Sequence, residues 1–307
     1  MSALSNNRAQ LGYLLVLAAT ICWSTSGTFI KIIRHDYSLS AWSLSFYRDL
    51  FTFFIFLGIA VVRGINRLRI DRKNLIALAA MGAISIGIFH VLWAMAVTML
   101  QVAVATVLNY TAPIFVVLFA WVLWHEKPSR RQTIAVLMAF VGCILVTGAY
   151  NIIDMNTNWL GLLVGLSTGL TYGLFTVIGK RTLRHHDSWT ILTYAFGFAT
   201  MTILVFKPAA PLEMLAKPLN AWLWMIVLVI VSTVMGFGLY TSGLRHLSAS
   251  SASIVATMEP VIATGFAFAL LGEVIEPVQM VGGIIVIISV LILAVKKDTP
   301  MSLVSAP

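Results

Sequence analysis

The sequence predicts an all-α integral membrane protein: ten transmembrane helices in two inverted five-helix repeats, with both termini cytoplasmic. Three observations lead there, namely composition, the spacing of the apolar runs, and a self-similarity at a fixed offset. Of 307 residues, 60% are hydrophobic and 10% charged, against roughly 25% charged in an ordinary soluble domain. A water-soluble fold of this size needs a charged exterior, and this chain cannot supply one. Such hydrophobicity also excludes disorder, while nine prolines and two cysteines exclude collagen-like and disulfide-stapled scaffolds.

A spanning helix takes about 20 apolar residues. Maximal apolar runs between charged or Pro/Asn-rich breaks fall at 11–33, 41–62, 75–98, 101–124, 132–149, 158–180, 189–206, 219–243, 248–271 and 277–295. The connections left over are too short for a soluble catalytic domain. The runs are continuous rather than alternating, which disfavours a β-barrel. Arg8 followed by Leu11–Ile21 resembles a signal-peptide n-region and h-region, but apolar character continues through Phe29–Ile33 without a small-residue cleavage site. The run is expected to remain uncleaved.

The formal net charge of +9 invites a nucleic-acid reading until each charge is located. With the N-terminus in the cytoplasm, the inside segments collect Arg8, Arg63 to Lys73, Lys127 to Arg131, Lys180 to Arg184, Arg245, Lys296 and Lys297. Outside segments hold only Lys31, Arg34, Lys207 and Lys217, and Arg48 lies within a run. The basic excess therefore reads as the positive-inside rule. It predicts a multi-pass protein of the cytoplasmic (inner) membrane, with the lipid bilayer as partner and no nucleic acid.

Shifting the chain by 147 residues lays Trp93, Ala96, Leu100, Thr106, Pro113, Glu126 and Gln132 onto Tyr240, Gly243, Leu247, Ser253, Pro260, Glu273 and Gln279. A shift of 149 lays Trp23 and Lys31 onto Tyr172 and Lys180. The units are 1–150 and 151–307. Five runs in each is an odd number, so the second unit enters from the opposite side. Inverted repeats are a hallmark of secondary transporters, whose site lies near the midplane between the repeats. Duplication for stability alone is the alternative. One fused chain completes the two-fold unit, so a monomer suffices.

The stretches LNYTAPIFVVLFAWVLWHEKPSRRQ and VATMEPVIATGFAFALLGEVIEPVQ share a proline followed thirteen residues later by a glutamate. They resemble EamA-type carriers of the drug/metabolite transporter superfamily. Glu259-Pro260 with Leu271-Gly272-Glu273 is similar to that family's second-half signature, and Phe46-Tyr47-Arg48 to its second-helix arginine motif. The resemblance runs from Leu11 to Val295. It implies a central cavity lined by runs 1–4 and 6–9, with runs 5 and 10 peripheral. It further implies export of small metabolites, often amino acids. Small multidrug relatives carry a first-helix carboxylate for proton exchange, and neither run 1 nor run 6 has one.

Glu259 lies about 16 Å into its run at 1.5 Å per residue. An acid at that depth costs a few kcal/mol unless it is protonated, paired or facing a cavity. It is a candidate ligand for a substrate amine or a proton, or a carboxyl bracing the helix where Pro260 removes a donor. Arg48 is a candidate for a substrate carboxylate or for snorkelling, and Asp49, adjacent on the helix, does not face it. His90 and Trp93 share a face; the histidine reads either as a substrate contact or as an interhelical hydrogen bond. Thr106, Asn109 and Pro113 form a stripe facing the cavity or clamping helices. Pro113 and Pro260 are hinge candidates near the midplane.

Trp42, Trp121, Trp124, Trp159, Trp189, Trp222 and Trp224 lie near run ends, where belt anchoring explains them. Trp23 and Tyr172 lie mid-run, and with Trp93, Tyr110 and Tyr240 they line an aromatic cavity or simply pack the core. Lys31 and Lys180 match across the repeat and are gate candidates, with snorkelling as the plain alternative. No metal site, redox role for Cys22 or Cys143, nucleotide loop or cofactor is expected. A membrane-embedded enzyme needs paired acids or a nucleophile with its base at one depth, and with Glu259 the only acid near mid-run it is the lesser alternative; a channel favours symmetry about the membrane normal. The expectation is therefore a carrier for a small-molecule substrate, amino acids first, with other solutes such as nucleosides, amines or drugs as the alternative.

Overall fold

The computed structural model describes residues 2–100, 102–125, 127–151, 158–271 and 274–294. Glu126, Gly272, Glu273, Val295, Lys296 and Lys297 lie outside the described residues. Every regular element among the described residues is helical: α1 (Ser2–Ser24), α2 (Ser26–Asp36), α3 (Ala41–Val62), α4 (Arg72–Gly82), α5 (Phe89–Met99), α6 (Val102–Asn109), α7 (Ala112–Trp124) and α8 (Arg130–Val146). There follow α9 (Trp159–Thr182), α10 (Ser188–Phe206), α11 (Ala210–Leu215), α12 (Leu219–Val227), α13 (Gly236–Leu244), α14 (Ala249–Ala256), α15 (Met258–Leu271) and α16 (Pro277–Ala294). Among the described residues, seven stretches are long and apolar enough to cross a membrane: Asn7–Asp36, Ala41–Val62, Arg72–Met99, Ala103–Trp124, Trp159–Thr182, Ser188–Phe206 and Leu219–Leu244. Beside them run α8, the α14/α15 pair and α16.

Polar caps start the helices. Ser40, Asp71, Ser129, Asn158, Asp187 and Ser248 each accept from a backbone N–H of the first turn, and Ser129 with Gln132 forms a reciprocal box. The bundle has two ends. At one, Thr190 Oγ1 donates to Arg67 O and Tyr194 Oη to Leu68 O. At the other, Ser40 bonds Glu213 through N and Oγ at 2.9 and 2.8 Å, and Trp42 meets Phe206. Thus α3 and α10 run antiparallel. The short α11, which no apolar run announced, is held there by the Ser40–Glu213 bonds and by Tyr47 Oη donating to Pro211 O at 2.9 Å.

Three continuous runs are interrupted in the fold. The first breaks at Thr25, between α1 and α2, with no proline to mark it; Thr25 Oγ1 bonds Cys22 O at 2.7 Å and Ser232 Oγ at 2.9 Å, competing with the helical ladder. The fourth breaks at Tyr110–Thr111 and the ninth at Thr257, and the 147-residue shift carries Tyr110 onto Thr257. Pro113 and Pro260 sit in the first turns of α7 and α15, where a missing N–H costs little. The discontinuities therefore lie just ahead of the prolines. The third and eighth runs each contain a π turn, Ala83–Ile88 and Leu228–Met235, and the same shift lays 83–88 onto 230–235.

Close approach is supplied by glycines. In α9, Gly161, Gly165, Gly169 and Gly173 recur every four residues on one face, and an added Cβ on them would meet Leu100, Leu108, Thr111 Oγ1 and Phe115 respectively. The broken α6/α7 pass lies along this ribbon, as small-residue packing between membrane helices requires. Gly142 of α8 and Gly282 of α16 similarly abut each other's backbone.

Gly169→Val is expected to overpack the ribbon and cost about 1–3 kcal/mol, read as a clear fall in thermal stability. Gly58→Ala, where nothing lies within 4 Å of the added Cβ, is the control and should hold or slightly raise it.

Candidate functional site

The three helix breaks and the residues that follow the two π turns converge on a small cleft of about 40 Å³, lined by Trp23, Ser26, Arg48, Phe89, Trp93, Asn109, Tyr172, Phe237 and Glu259. Glu259 is delivered by the first turn of α15, where the partial positive charge of the helix start favours a carboxylate. Across from it, the break in the α6/α7 pass presents Tyr110, whose Oη donates to Glu259 Oε2 at 2.5 Å. The two breaks thus meet through one hydrogen bond. Tyr110 is buried behind this contact and does not line the cleft.

Arg48 enters from α3 and is 3% exposed. Its Nε donates to Thr233 Oγ1 at 2.8 Å, and Thr233 Oγ1 donates in turn to Leu228 O at 3.1 Å, five residues back inside the π turn. Widening the helix there aims a hydroxyl at the guanidinium. The terminal amines of Arg48 make no hydrogen bond to the described residues, and Arg48 borders the same cleft as Glu259. Asp49, one residue on, turns the other way and meets His90 Nδ1 at 2.6 Å, with both side chains 0% exposed. His90 does not line the cleft, although Trp93 on the same helix does.

Trp23 and Tyr172, matched across the repeat, meet edge to face with centroids 5.9 Å apart. Trp23 also packs on Phe237 at 5.4 Å and on Tyr240 at 5.0 Å. Gly236 makes room for the indole, because a Cβ there would strike Nε1. Tyr240 is fully buried behind this cluster, with its hydroxyl 2.9 Å from Thr176 Oγ1. Within the cleft, Trp23 Nε1 and Asn109 Oδ1 are buried without a partner among the described residues.

The gate candidates separate. Lys180 Nζ donates to Leu244 O at 2.8 Å and Arg245 O at 3.4 Å, tying α9 to the end of α13. Lys31 is exposed. At the opposite end the corresponding tie is made one turn later by Arg34, which donates to Leu39 O, Ala94 O and Thr98 Oγ1. Among the described residues no group of His, Cys, Asp and Glu could hold a metal ion. Trp189, placed in the belt by its position, packs on Phe56 and lies under Arg63.

Sequence reasoning missed Phe89, Phe237, Ser26 and Thr233. One signal for Phe237 was available, since the 147-residue shift carries His90 onto it. The π turn that orients Thr233 has no comparable sequence mark.

Tyr110→Phe removes the bond between the breaks and is expected to cost about 1.5–3 kcal/mol, the range for a hydrogen bond to a charged group. In a cycle with Glu259→Gln, the two losses should sum to more than the double variant loses; strict additivity in thermal stability would mean the bond contributes nothing.

Comparison with known proteins sets this geometry in a family. Residues 10–148 and 159–295 match the EamA-like transporter family. An uncharacterized transporter of Archaeoglobus fulgidus is 25% identical over 92% of this chain and 96% of its own length. The uncharacterized inner membrane transporter YicL of Salmonella typhimurium is 22% identical over 92% and 95%. A solved crystal structure superimposes with a TM-score of 0.74 at 16% identity, over 92% of this chain and 95% of that one, which establishes likeness of fold. A two-fold match to one family, over helices that converge on an interior cleft, leads to one conclusion: this chain is a membrane transporter of the EamA-like transporter family.

Proposed function

We propose that the chain exports small organic metabolites, amino acids foremost, across the cytoplasmic membrane by alternating access. The observation that carries this reading is a single cleft bordered by Arg48 from the first repeat and Glu259 from the second, with aromatic walls between. A zwitterion presents a carboxylate to one and an ammonium to the other, and Trp23, Trp93 and Tyr172 receive its side chain. Asn109 and Trp23 add a hydrogen-bond acceptor and donor. Pro113 and Pro260, at the starts of two half-helices, and the paired π turns are where the repeats flex.

The seven long apolar stretches, together with α8, the α14/α15 pair and α16, make ten passes, five per unit in 1–150 and 151–307. The clustering of Arg63 to Lys73, Lys127 to Arg131 and Lys180 to Arg184 at one end supports a cytoplasmic assignment for that end and for both termini. Lys180 then ties the cytoplasmic side and Arg34, in place of the exposed Lys31, the outer side. Opening one tie while the other holds is the gating step. The cleft lies within one chain, so a monomer is sufficient. The family membership supports transport rather than catalysis.

The test is efflux from proteoliposomes loaded with amino acids, nucleosides and amines, read by mass spectrometry of the outside medium. Selective, saturable loss of amino acids is expected, and Arg48→Gln and Glu259→Gln should each reduce it at least tenfold, about 1.4 kcal/mol of binding. Loss confined to nucleosides or amines would reassign the solute, and no loss from vesicles holding folded protein would remove export of these solutes altogether.

A further inference from the structure

The Asp49–His90 pair stands apart from everything the cleft uses. Both side chains are 0% exposed, and the Nδ1 to Oδ1 distance is 2.6 Å. Their outer atoms, His90 Nε2 and Asp49 Oδ2, are buried without a partner among the described residues. A pair retained only to clamp α3 to α5 would gain from satisfying those atoms, since an unsatisfied buried polar group costs about 1–3 kcal/mol. What surrounds the imidazole is aromatic: Phe89 at 5.5 Å, Phe196 at 6.2 Å and Phe237 at 5.8 Å, the last edge to face. Three phenyl rings cannot hydrogen-bond an imidazole, but their quadrupoles favour an imidazolium that enters the cage.

One basic side chain, Arg48, and two acidic ones, Asp49 and Glu259, share the interior with the imidazole, so a proton taken up there offsets buried acid. Glu259 is engaged elsewhere: its carboxylate accepts from Tyr110, sits at a helix start and borders the cleft. The charged groups acting on His90 are Arg48 and Asp49 from α3. From α10 and α13 it meets Phe196 and Phe237, and the Tyr172 phenol of α9 lies beyond Phe89.

Placement couples the pair to the cleft. Phe89 and Phe237 border the cleft and also face His90, so they are the partition between them. Arg48 and Asp49 are adjacent on one helix, the first serving the cleft and the second the pair. The π turn Ala83–Ile88 ends one residue before Phe89, where a change of helical register would move the partition and the imidazole together.

We propose that the Asp49–His90 pair is the proton-binding site of this carrier, taking up and releasing one proton per transport cycle. In the step, the Nε2 lone pair of His90 takes a proton from water on one side of the membrane. The resulting N–H ionises to water on the other side after the repeats have moved, while Asp49 keeps its contact with Nδ1. The inference rests on the transport reading above and adds proton coupling to it.

The experiment records two fluxes from the same proteoliposomes: amino acids by mass spectrometry, and protons by a trapped pH dye. Wild type is expected to move protons in fixed ratio to amino acids, opposite in direction to export. His90→Gln keeps a hydrogen-bonding side chain but cannot titrate near neutrality, and should lower the proton-to-solute ratio at least tenfold while solute still moves down its own gradient. Asp49→Asn, which removes the partner of the imidazolium, should lower the pH of half-maximal proton flux by a unit or more, and serves as the test if His90→Gln does not fold. Amino-acid flux without protons in wild type, or an unchanged ratio in His90→Gln, overturns this inference and leaves the carrier standing. Absence of any solute flux in wild type overturns both.

Discussion

A helix that stops inside an apolar slab leaves backbone groups that water cannot reach, and the fold depends on how it answers that constraint. Three of its passes are broken near mid-length. At Thr25 the side chain covers a carbonyl, and at Tyr110–Thr111 the neighbouring α9 comes so close that Gly169 has no room for a Cβ. At Thr257 the hydroxyl folds back onto Ile254 O at 2.6 Å. The breaks are thereby sealed on their outer flanks and left open toward one another. The cleft is what remains between them.

Polarity is concentrated where those breaks meet. Arg48, Glu259, Asn109 and the Trp23 indole border one space, while Asp49 and His90 are withheld from it by two phenyl rings. This arrangement arises from an imperfect repeat. The scaffold follows the 147-residue shift in the breaks of the fourth and ninth runs, in its π turns and in its prolines, while the break at Thr25 falls opposite the unbroken α9. The chemistry departs from it: Ala112 stands opposite Glu259 and Phe237 opposite His90. A symmetric frame carries an asymmetric set of charges, so the two halves of the cleft differ in what they attract.

Much of this was legible beforehand. The apolar runs forecast most helix limits to within a few residues, because hydropathy reports directly on the slab. Trp23 and Tyr172 stood out as matched mid-run aromatics and are in contact. The break at Thr25 was not legible, since Ser-Thr-Ser-Gly in an apolar run reads as a tolerated polar stretch unless its partner Ser232 is known. Nor were the π turns, the first of which packs against α10, where Gly82 and Gly87 lie on the backbone of Ala195 and Ala199. Helical spacing shows only that Asp49 does not face Arg48. Its partner lies 41 residues away on another helix, a distance that no local spacing encodes. The ribbon of four glycines in α9 was there to be read as a period of four, and its meaning is plain once the broken pass is seen lying on it.

The ties at the two ends of the bundle differ in kind: Arg34 holds its oxygens through a planar fork, and Lys180 holds Leu244 O and Arg245 O through a flexible amine. A machine whose two doors are latched with different strength has a preferred idle posture. Each 1.4 kcal/mol of difference makes that posture about tenfold more populated than its mirror. Under the alternating-access reading proposed above, an arginine at one rim and a lysine at the other is where such a difference would arise. Directionality at rest would then be written into two side chains at the rim, remote from whatever the protein carries.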